Sequence, residues 1–261
     1  MGICGSSQGG AFRKLYELDD KTPISQDAKP PSIPPHSLPP LQLQLTPQSS
    51  WENEVAILRQ CVGHKHIIAF RAAFEMPTYA LLVMEYVEGG ELFDALISDG
   101  AYSEWDAKRF VHDILQALAF LHARDIIHRD IKPENLVFTS RDSKVASIKV
   151  VNFAMAKPDT PALPTSPPPV GVKCDMWSVG IVLYVLLSGT HPFDLDGRQP
   201  RDQIVGNILL GKFTMSDESP VWRQISSEAK DFLRKLLQVD PEKRLSAEEA
   251  LAHKCTSEIG R

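Results

Sequence analysis

The sequence has few cysteines, no long apolar run and no large excess of charge, and each absence excludes a class of protein. Four cysteines occur among 261 residues, at Cys4, Cys61, Cys174 and Cys255, and none forms a C-x-x-C pair. This spacing predicts neither a disulfide framework nor a zinc site, and it fits a reducing compartment. Because no run of about 18 apolar residues exists, no transmembrane helix is predicted. A net charge of −5 gives no electrostatic reason to expect a nucleic-acid partner.

The start of the chain lacks the charged and apolar regions of a secretory signal, but it matches a lipidation pattern. Gly2 fits the M-G-x-x-x-S pattern of N-myristoylation, and Cys4 is placed for palmitoylation. Two acyl chains bind a membrane stably, whereas one binds only marginally. We therefore expect a cytoplasmic protein that associates with a membrane surface through these two residues. A small, polar, disordered N-terminus without lipid is the alternative.

Proline is in excess between residues 20 and 50, where eight prolines crowd together with serine and glutamine. Proline removes a backbone donor and fixes φ, so this segment should contain neither a helix nor an inner strand. We expect residues 1–50 to combine the acylation site with an extended, largely disordered, Pro-rich segment.

Hydrophobic patterning after residue 50 predicts a small strand-containing part followed by a mostly helical part. Residues 80–87 and 145–151 are short apolar segments typical of strands. Ser103 is a suitable N-cap for a helix with apolar residues at helical spacing. Residues 175–188 are apolar on nearly all sides, which indicates a buried central helix. Residues 246–249 form a capping box that begins a last short helix.

The octapeptide His128-Arg129-Asp130-Ile131-Lys132-Pro133-Glu134-Asn135 matches the catalytic loop of protein kinases, with the spacing H-R-D-x-x-x-x-N. Six further segments follow the order and approximate spacing of that family: residues 54–58, 82–87, 89–93, 175–180, 191–193 and 240–245. The chain therefore resembles the serine/threonine protein kinases over about residues 51 to 253. It is most similar to the calcium/calmodulin-dependent group, which includes the calcium-dependent (CDPK-like) kinases.

The resemblance implies an α+β, two-lobed, kinase-like fold. Residues 51–87 would form a residual small lobe that ends at the hinge. Residues 88–261 would form a nearly complete helical large lobe with a shortened activation segment. The implied activity is transfer of the ATP γ-phosphate to serine or threonine of a protein substrate, with ATP and Mg²⁺ as cofactors.

The resemblance also assigns roles to residues of the octapeptide. Asp130 would orient the substrate hydroxyl and accept its proton, and Lys132 would offset charge on the phosphoryl group. Asn135 would hold a magnesium ion, together with Asn152 at the position of the D-F-G aspartate. Glu54 would be the glutamate of the small-lobe helix that pairs with a lysine.

Further positions of the family's nucleotide site can be carried over in the same way. The residues expected to lie against ATP are Glu85, Val87, Glu91 and Val137.

Other parts that phosphoryl transfer needs are altered or missing from the sequence. No G-x-G-x-x-G occurs, and no lysine is visible to pair with Glu54. The proline-rich segment lies where three strands are expected, so the small lobe is predicted to be truncated. The D-F-G triplet reads Asn152-Phe153-Ala154, although Mg²⁺ prefers a carboxylate. No A-P-E precedes Asp175, so Arg244 should lack the glutamate with which it pairs in the family.

Three interpretations follow. The first is a serine/threonine kinase that is catalytically impaired, since losing one preorganised electrostatic contact costs about 10²–10³ in rate. The second is a non-catalytic pseudokinase that acts as a scaffold or allosteric regulator of a protein partner. The third is an incomplete gene model or splice form of an active kinase.

Overall fold

The computed structural model describes residues 41–47, 51–75, 79–142, 145–159 and 171–259. The predicted lipidation sites Gly2 and Cys4 lie outside these ranges, so lipidation stays a prediction. No helix within the ranges is both long and apolar enough to cross a bilayer. The described residues form a small lobe around one sheet and a larger lobe that is mostly helical.

The small lobe contains a three-stranded antiparallel sheet and one helix. Its elements are β1 (Leu41–Pro47), α1 (Trp51–Gln60), β2 (Phe70–Glu75) and β3 (Tyr79–Glu85). The central strand is β3, which pairs with β1 on one side and with β2 on the other. This arrangement confirms the α+β class, and among the described residues the small-lobe sheet has three strands. β3 confirms the strand predicted near residues 80–87.

Strand β1 corrects the prediction that residues 20–50 hold no part of the folded domain. All seven of its residues pair with β3, from Leu41 opposite Glu85 to Pro47 opposite Tyr79. Between Pro40 and Pro47, leucine alternates with glutamine or threonine, which is the period of a strand. The high proline content of the longer segment concealed this short alternation. A strand before residue 51 therefore belongs to the small lobe, and the described part of that lobe begins at residue 41.

The large lobe consists of helices and short strand pairs. Its helices are α2 (Leu92–Asp99), α3 (Glu104–His122), α4 (Lys173–Ser188), α5 (Arg201–Leu209), α6 (Pro220–Gln224), α7 (Ser227–Leu236), α8 (Ala247–Ala252) and α9 (Lys254–Ser257). Its strands are β4 (Ile126–Ile127), β5 (Leu136–Phe138), β6 (Ile148–Val150) and β7 (Lys157–Pro158). β4 pairs with β7 and β5 pairs with β6, both antiparallel, so the chain before β5 and the chain after β6 are brought together.

The helix signals of the sequence are confirmed in this lobe. Ser103 Oγ accepts a hydrogen bond from the backbone N–H of Asp106 at 3.1 Å and caps α3. Ser246 and Glu249 form the reciprocal capping box that begins α8. Buried residues are distributed around α4, as its uniformly apolar sequence predicts, so this helix lies at the centre of the lobe.

A buried polar cluster joins the small-lobe loop after α1 to the large lobe. The His66 ring is 2% exposed, and its Nδ1 lies 2.9 Å from the carbonyl oxygen of Ile148. Asp113 in α3 accepts hydrogen bonds from Ser147 Oγ and from the backbone N–H of Ile148, each at 2.9 Å. Burial lowers the pKa of His66, while the nearby Asp113 carboxylate acts in the opposite direction. The loop is thus held to the large lobe through a neutral imidazole.

Acidification is expected to destabilise the fold through His64, which lies two positions before His66. Burial, reinforced by His66 and by nearby cationic side chains, lowers the pKa of His64 from 6.5 to about 4. Between these two values the unfolded chain binds a proton that the folded chain does not, so the free energy of unfolding falls as the pH falls. Urea unfolding across this pH range measures the slope. The His64→Gln variant should show a shallower slope, and identical slopes would contradict the assignment.

Candidate functional site

The predicted catalytic loop lies between β4 and β5 and is anchored to α4 by one buried carboxylate. Asp175 is 1% exposed and accepts hydrogen bonds from the backbone N–H groups of His128 at 2.9 Å and Arg129 at 2.8 Å. Burial by itself would raise the pKa of Asp175, but these bonds and one from His122 hold it below its usual value. Arg129 has a φ of 68°, which this anchor maintains. The buried His128 ring packs edge-on against Phe153 at 4.8 Å.

The three predicted catalytic residues are brought into direct contact. Asn135 Nδ2 donates to both the backbone oxygen and the Oδ2 of Asp130, each at 2.7 Å. Lys132 Nζ lies 3.0 Å from Asp130 Oδ1. The Asp130 carboxylate therefore has a fixed orientation and a cationic neighbour. The sequence pattern predicted these residues, and the structure places them as one hydrogen-bonded group.

The residue at the position of the D-F-G aspartate joins the same group. Asn152 Nδ2 donates to Asn135 Oδ1 at 3.1 Å, and Asn152 Oδ1 accepts from the backbone N–H of Ala154 at 3.4 Å. Its φ of 62° is a left-handed conformation that asparagine adopts more readily than most residues. Both predicted metal ligands therefore lie together, and both amide oxygens accept hydrogen bonds from the protein.

These residues do not fit a magnesium ion. Magnesium requires oxygen ligands, usually including a carboxylate, in near-octahedral geometry. Here an amide N–H of Asn152 points at the Asn135 oxygen that the family pattern assigns to the ion. As arranged here, the two asparagines offer magnesium no carboxylate, and the Asn135 oxygen already accepts a hydrogen bond.

The expectation that Glu54 has no partner is corrected by β1. Glu54 lies in α1 and is 1% exposed, and its Oε1 accepts a hydrogen bond from Gln44 Nε2 at 3.0 Å. Gln44 lies opposite Leu82 in the register of β1 with β3. Sequence analysis missed Gln44, although the alternation of leucine with polar residues was the available signal. The side chain that β1 contributes to Glu54 is therefore a neutral amide.

A second contact holds α1 close to the catalytic group. Asn53, the neighbour of Glu54 in α1, donates from Nδ2 to the backbone oxygen of Ala156 at 2.8 Å. Ala156 lies just after the triplet that begins at Asn152. The small-lobe helix is thus attached both to β1 and to the segment that follows Asn152, through hydrogen bonds that two neutral amide side chains donate.

The residues assigned to ATP binding lie in β3, in β5 and in the chain between these two strands. Glu85 directs its carboxylate to Lys149 Nζ at 2.7 Å and to the backbone N–H of Ala69 at 2.8 Å. Val87 is half-buried against the core, and the exposed Glu91 forms an isolated bridge with the half-buried Val137. Their contact with a nucleotide stays a prediction.

The expectation that Arg244 lacks a partner is also corrected. Its guanidinium donates to the carbonyl oxygens of Gln238 at 2.7 and 2.9 Å, of Lys173 at 2.6 Å and of Val239 at 3.2 Å. The guanidinium carbon lies 5.0 Å from the centre of the Trp177 ring, which is within cation–π range. Backbone carbonyls thus satisfy a buried cation for which the family pattern provides a carboxylate.

Comparison with known proteins identifies the family to which this geometry corresponds. Residues 42–167 and 162–256 match the sequence model of the protein kinase domain. The first match begins inside β1, in agreement with the corrected boundary of the small lobe. Members of this family use ATP and Mg²⁺ and act on protein substrates.

Individual relatives include proteins named as calcium/calmodulin-dependent or CDPK-related protein kinases. Calcium/calmodulin-dependent protein kinase type 1 of Caenorhabditis briggsae is 32% identical over 94% of this chain and 69% of its own length. The type 1B enzyme of Rattus norvegicus is 38% identical over 77% of this chain and 61% of its own length. A CDPK-related protein kinase of Daucus carota is 39% identical over 77% of this chain and 35% of its own length. The chain thus spans from about one third to two thirds of the length of these relatives.

Proposed function

Because the chain belongs to the protein kinase domain family, with kinases of the calcium/calmodulin-dependent type among its relatives, we propose that it is a kinase-fold protein impaired in phosphoryl transfer. In this proposal the retained fold serves to bind a protein partner as a scaffold or allosteric regulator. The proposal is carried by one observation: Asn152, a neutral amide, stands at the position of the D-F-G aspartate and donates to Asn135 Oδ1 at 3.1 Å.

The replacement of that aspartate by an amide removes a negative charge from the group that holds magnesium in the family. In protein kinases, the magnesium bound by the D-F-G aspartate must be in place for transfer. A preorganised electrostatic contact is worth about 10²–10³ in rate, so a family turnover of about 1–100 s⁻¹ would fall to about 1 s⁻¹ or less. The side chain of β1 that donates to Glu54 is the neutral amide of Gln44, a second departure from the family pattern whose effect does not simply multiply the first.

Binding of a protein partner is supported by the described helices of the large lobe and by exposed apolar side chains on α5. Val205 and Leu209 lie in α5 with exposed fractions of 45% and 69%, and Leu210, which follows the helix, is 77% exposed. Val205 and Leu209 are four positions apart and lie on one face of the helix, so they offer an apolar contact region. The acylation pattern at Gly2 and Cys4 adds a membrane surface as the proposed location of the complex.

Phosphate transfer to a basic serine-containing peptide tests the impairment. The full chain should transfer phosphate at about 1 s⁻¹ or more slowly. Asp130→Ala is the matched control for contaminating activity, because the catalytic loop assigns the substrate proton to the Asp130 carboxylate. Transfer by the wild-type chain well above about 1 s⁻¹ that Asp130→Ala abolishes would overturn the proposal. If a longer transcript encodes a small lobe with a lysine to pair with Glu54, we would assign the kinase activity to that longer form.

A further inference from the structure

The hydrogen bond between Asn152 and Asn135 joins the two positions that the family uses to hold magnesium. We propose that this amide pair takes the place of the metal ion. It fastens the catalytic loop to the segment after β6, so the site keeps its arrangement without a divalent cation and gains nothing from one. The inference rests on the proposed impairment of phosphoryl transfer and explains how the fold tolerates it.

The orientation of both amides follows from neighbours whose hydrogen-bonding roles are fixed. Asn135 Nδ2 faces the backbone oxygen and the carboxylate of Asp130, and both are acceptors. Asn135 Oδ1 must therefore face Asn152. Asn152 in turn presents its oxygen to the backbone N–H of Ala154, which can only donate. The donor between the two asparagines is thus the Asn152 amide. Rotating the Asn152 amide by 180° would break two contacts, and rotating the Asn135 amide would break three.

The backbone beside Asn152 is fastened to the same loop. The N–H of Val151 donates to the backbone oxygen of Asn135 at 3.0 Å. The carbonyl oxygen of Val151 lies 3.2 Å from Nε2 of the buried His128 ring. Together with the side-chain bond, these contacts make three links between the catalytic loop and the segment after β6. The amide pair therefore belongs to a continuous hydrogen-bonded network rather than to a loose surface contact.

Charge in the site is already compensated by protein groups. The Asp130 carboxylate has Lys132 Nζ at 3.0 Å and the Asn135 amide at 2.7 Å. A magnesium ion at Asn135 Oδ1 would have to displace the Asn152 N–H, and it would gain a neutral amide oxygen instead of a carboxylate. Because magnesium gives up its water reluctantly, this exchange is unfavourable.

Thermal unfolding of the full chain tests the inference. The melting temperature of the wild-type chain should be the same in millimolar magnesium chloride and in sodium chloride of equal ionic strength. Asn152→Asp places an oxygen against Asn135 Oδ1, so its melting temperature in chelator should fall by about 3 to 8 °C. Magnesium should restore a large part of that loss, because a cation can bridge the two oxygens.

Two further variants separate the effect of the added charge from the effect of losing the hydrogen bond between the two asparagines. Asn152→Ala loses the hydrogen bond without gaining a carboxylate. Its melting temperature should therefore be lower than that of the wild-type chain and should not respond to magnesium. Asn207→Asp makes the same chemical change at an amide that donates to Gln199, far along the chain in α5, and it also should not respond.

A saturable magnesium-dependent rise in the wild-type melting temperature that Asn152→Ala removes would overturn the inference. If the melting temperature of Asn152→Asp did not change with magnesium, the inference would also be overturned, because the Asn152 amide would then not occupy the position of a metal ion. Phosphate transfer by the wild-type chain without added divalent cation would overturn the proposed impairment and support the metal-free site. The two proposals therefore fail on different measurements.

Discussion

The double variant Gln44→Lys, Asn152→Asp is expected to transfer phosphate to a basic peptide at least about 10²-fold faster than the wild-type chain. Gln44 Nε2 already lies 3.0 Å from Glu54 Oε1, so a lysine there would place an ammonium group against a buried carboxylate. Aspartate at residue 152 restores the acidic residue that the D-F-G pattern carries. The catalytic loop is assembled, because Asp130, Lys132 and Asn135 are already in contact.

Initial rates in MgATP measure this gain, with the single variants run beside the double variant. Each single variant should gain less than the pair, because residues that act as a unit are strongly non-additive. Adding Asp130→Ala to the double variant should abolish the transfer and exclude a contaminating kinase. A double variant no faster than the wild-type chain would mean that the remaining small lobe cannot position the nucleotide.

Asp175→Asn is expected to lower the free energy of unfolding by about 2–5 kcal/mol, the largest stability effect at this site. The carboxylate is buried and accepts from His122 and from the backbone N–H groups of His128 and Arg129. An amide of the same size can accept through one oxygen only, so at least one buried donor loses its partner. Arg129 would then hold its left-handed conformation with less support.

Urea denaturation compares this variant with Asp202→Asn, which makes the same exchange at an exposed position in the first turn of α5. The control should stay within about 0.5 kcal/mol of the wild-type chain. At this chain length, the predicted loss corresponds to a fall in melting temperature of roughly 2–4 °C per kcal/mol. Equal stabilities of the two variants would show that Asp175 does not anchor the catalytic loop.

The sequence predicted the features that depend on neighbouring residues. The cap at Ser103, the capping box at Ser246 and the apolar character of α4 each lie within a few positions of one another. The catalytic octapeptide is similarly local, so its spacing alone indicated Asp130 and Asn135. Signals of this kind persist in the folded chain because the interactions that produce them form within one turn or one helix.

The features that the sequence did not predict depend on distant pairing. Gln44 reaches Glu54 only because β1 pairs with β3, whose residues lie about forty positions further along the chain. Arg244 finds an acceptor on Lys173, which is 71 positions away. The bond from Asn152 to Asn135 is not predicted for another reason: the family pattern assigns both residues as oxygen ligands, whereas an amide side chain also carries a donor.

The carbonyl cage around Arg244 has an evolutionary consequence. In a kinase that pairs this guanidinium with a glutamate, mutation of that glutamate would leave a buried cation without a partner. Here Gln238, Val239 and Lys173 supply backbone oxygens that no point mutation can delete. The helical lobe therefore keeps this buried cation hydrogen-bonded whichever side chains occupy the three positions that supply the oxygens.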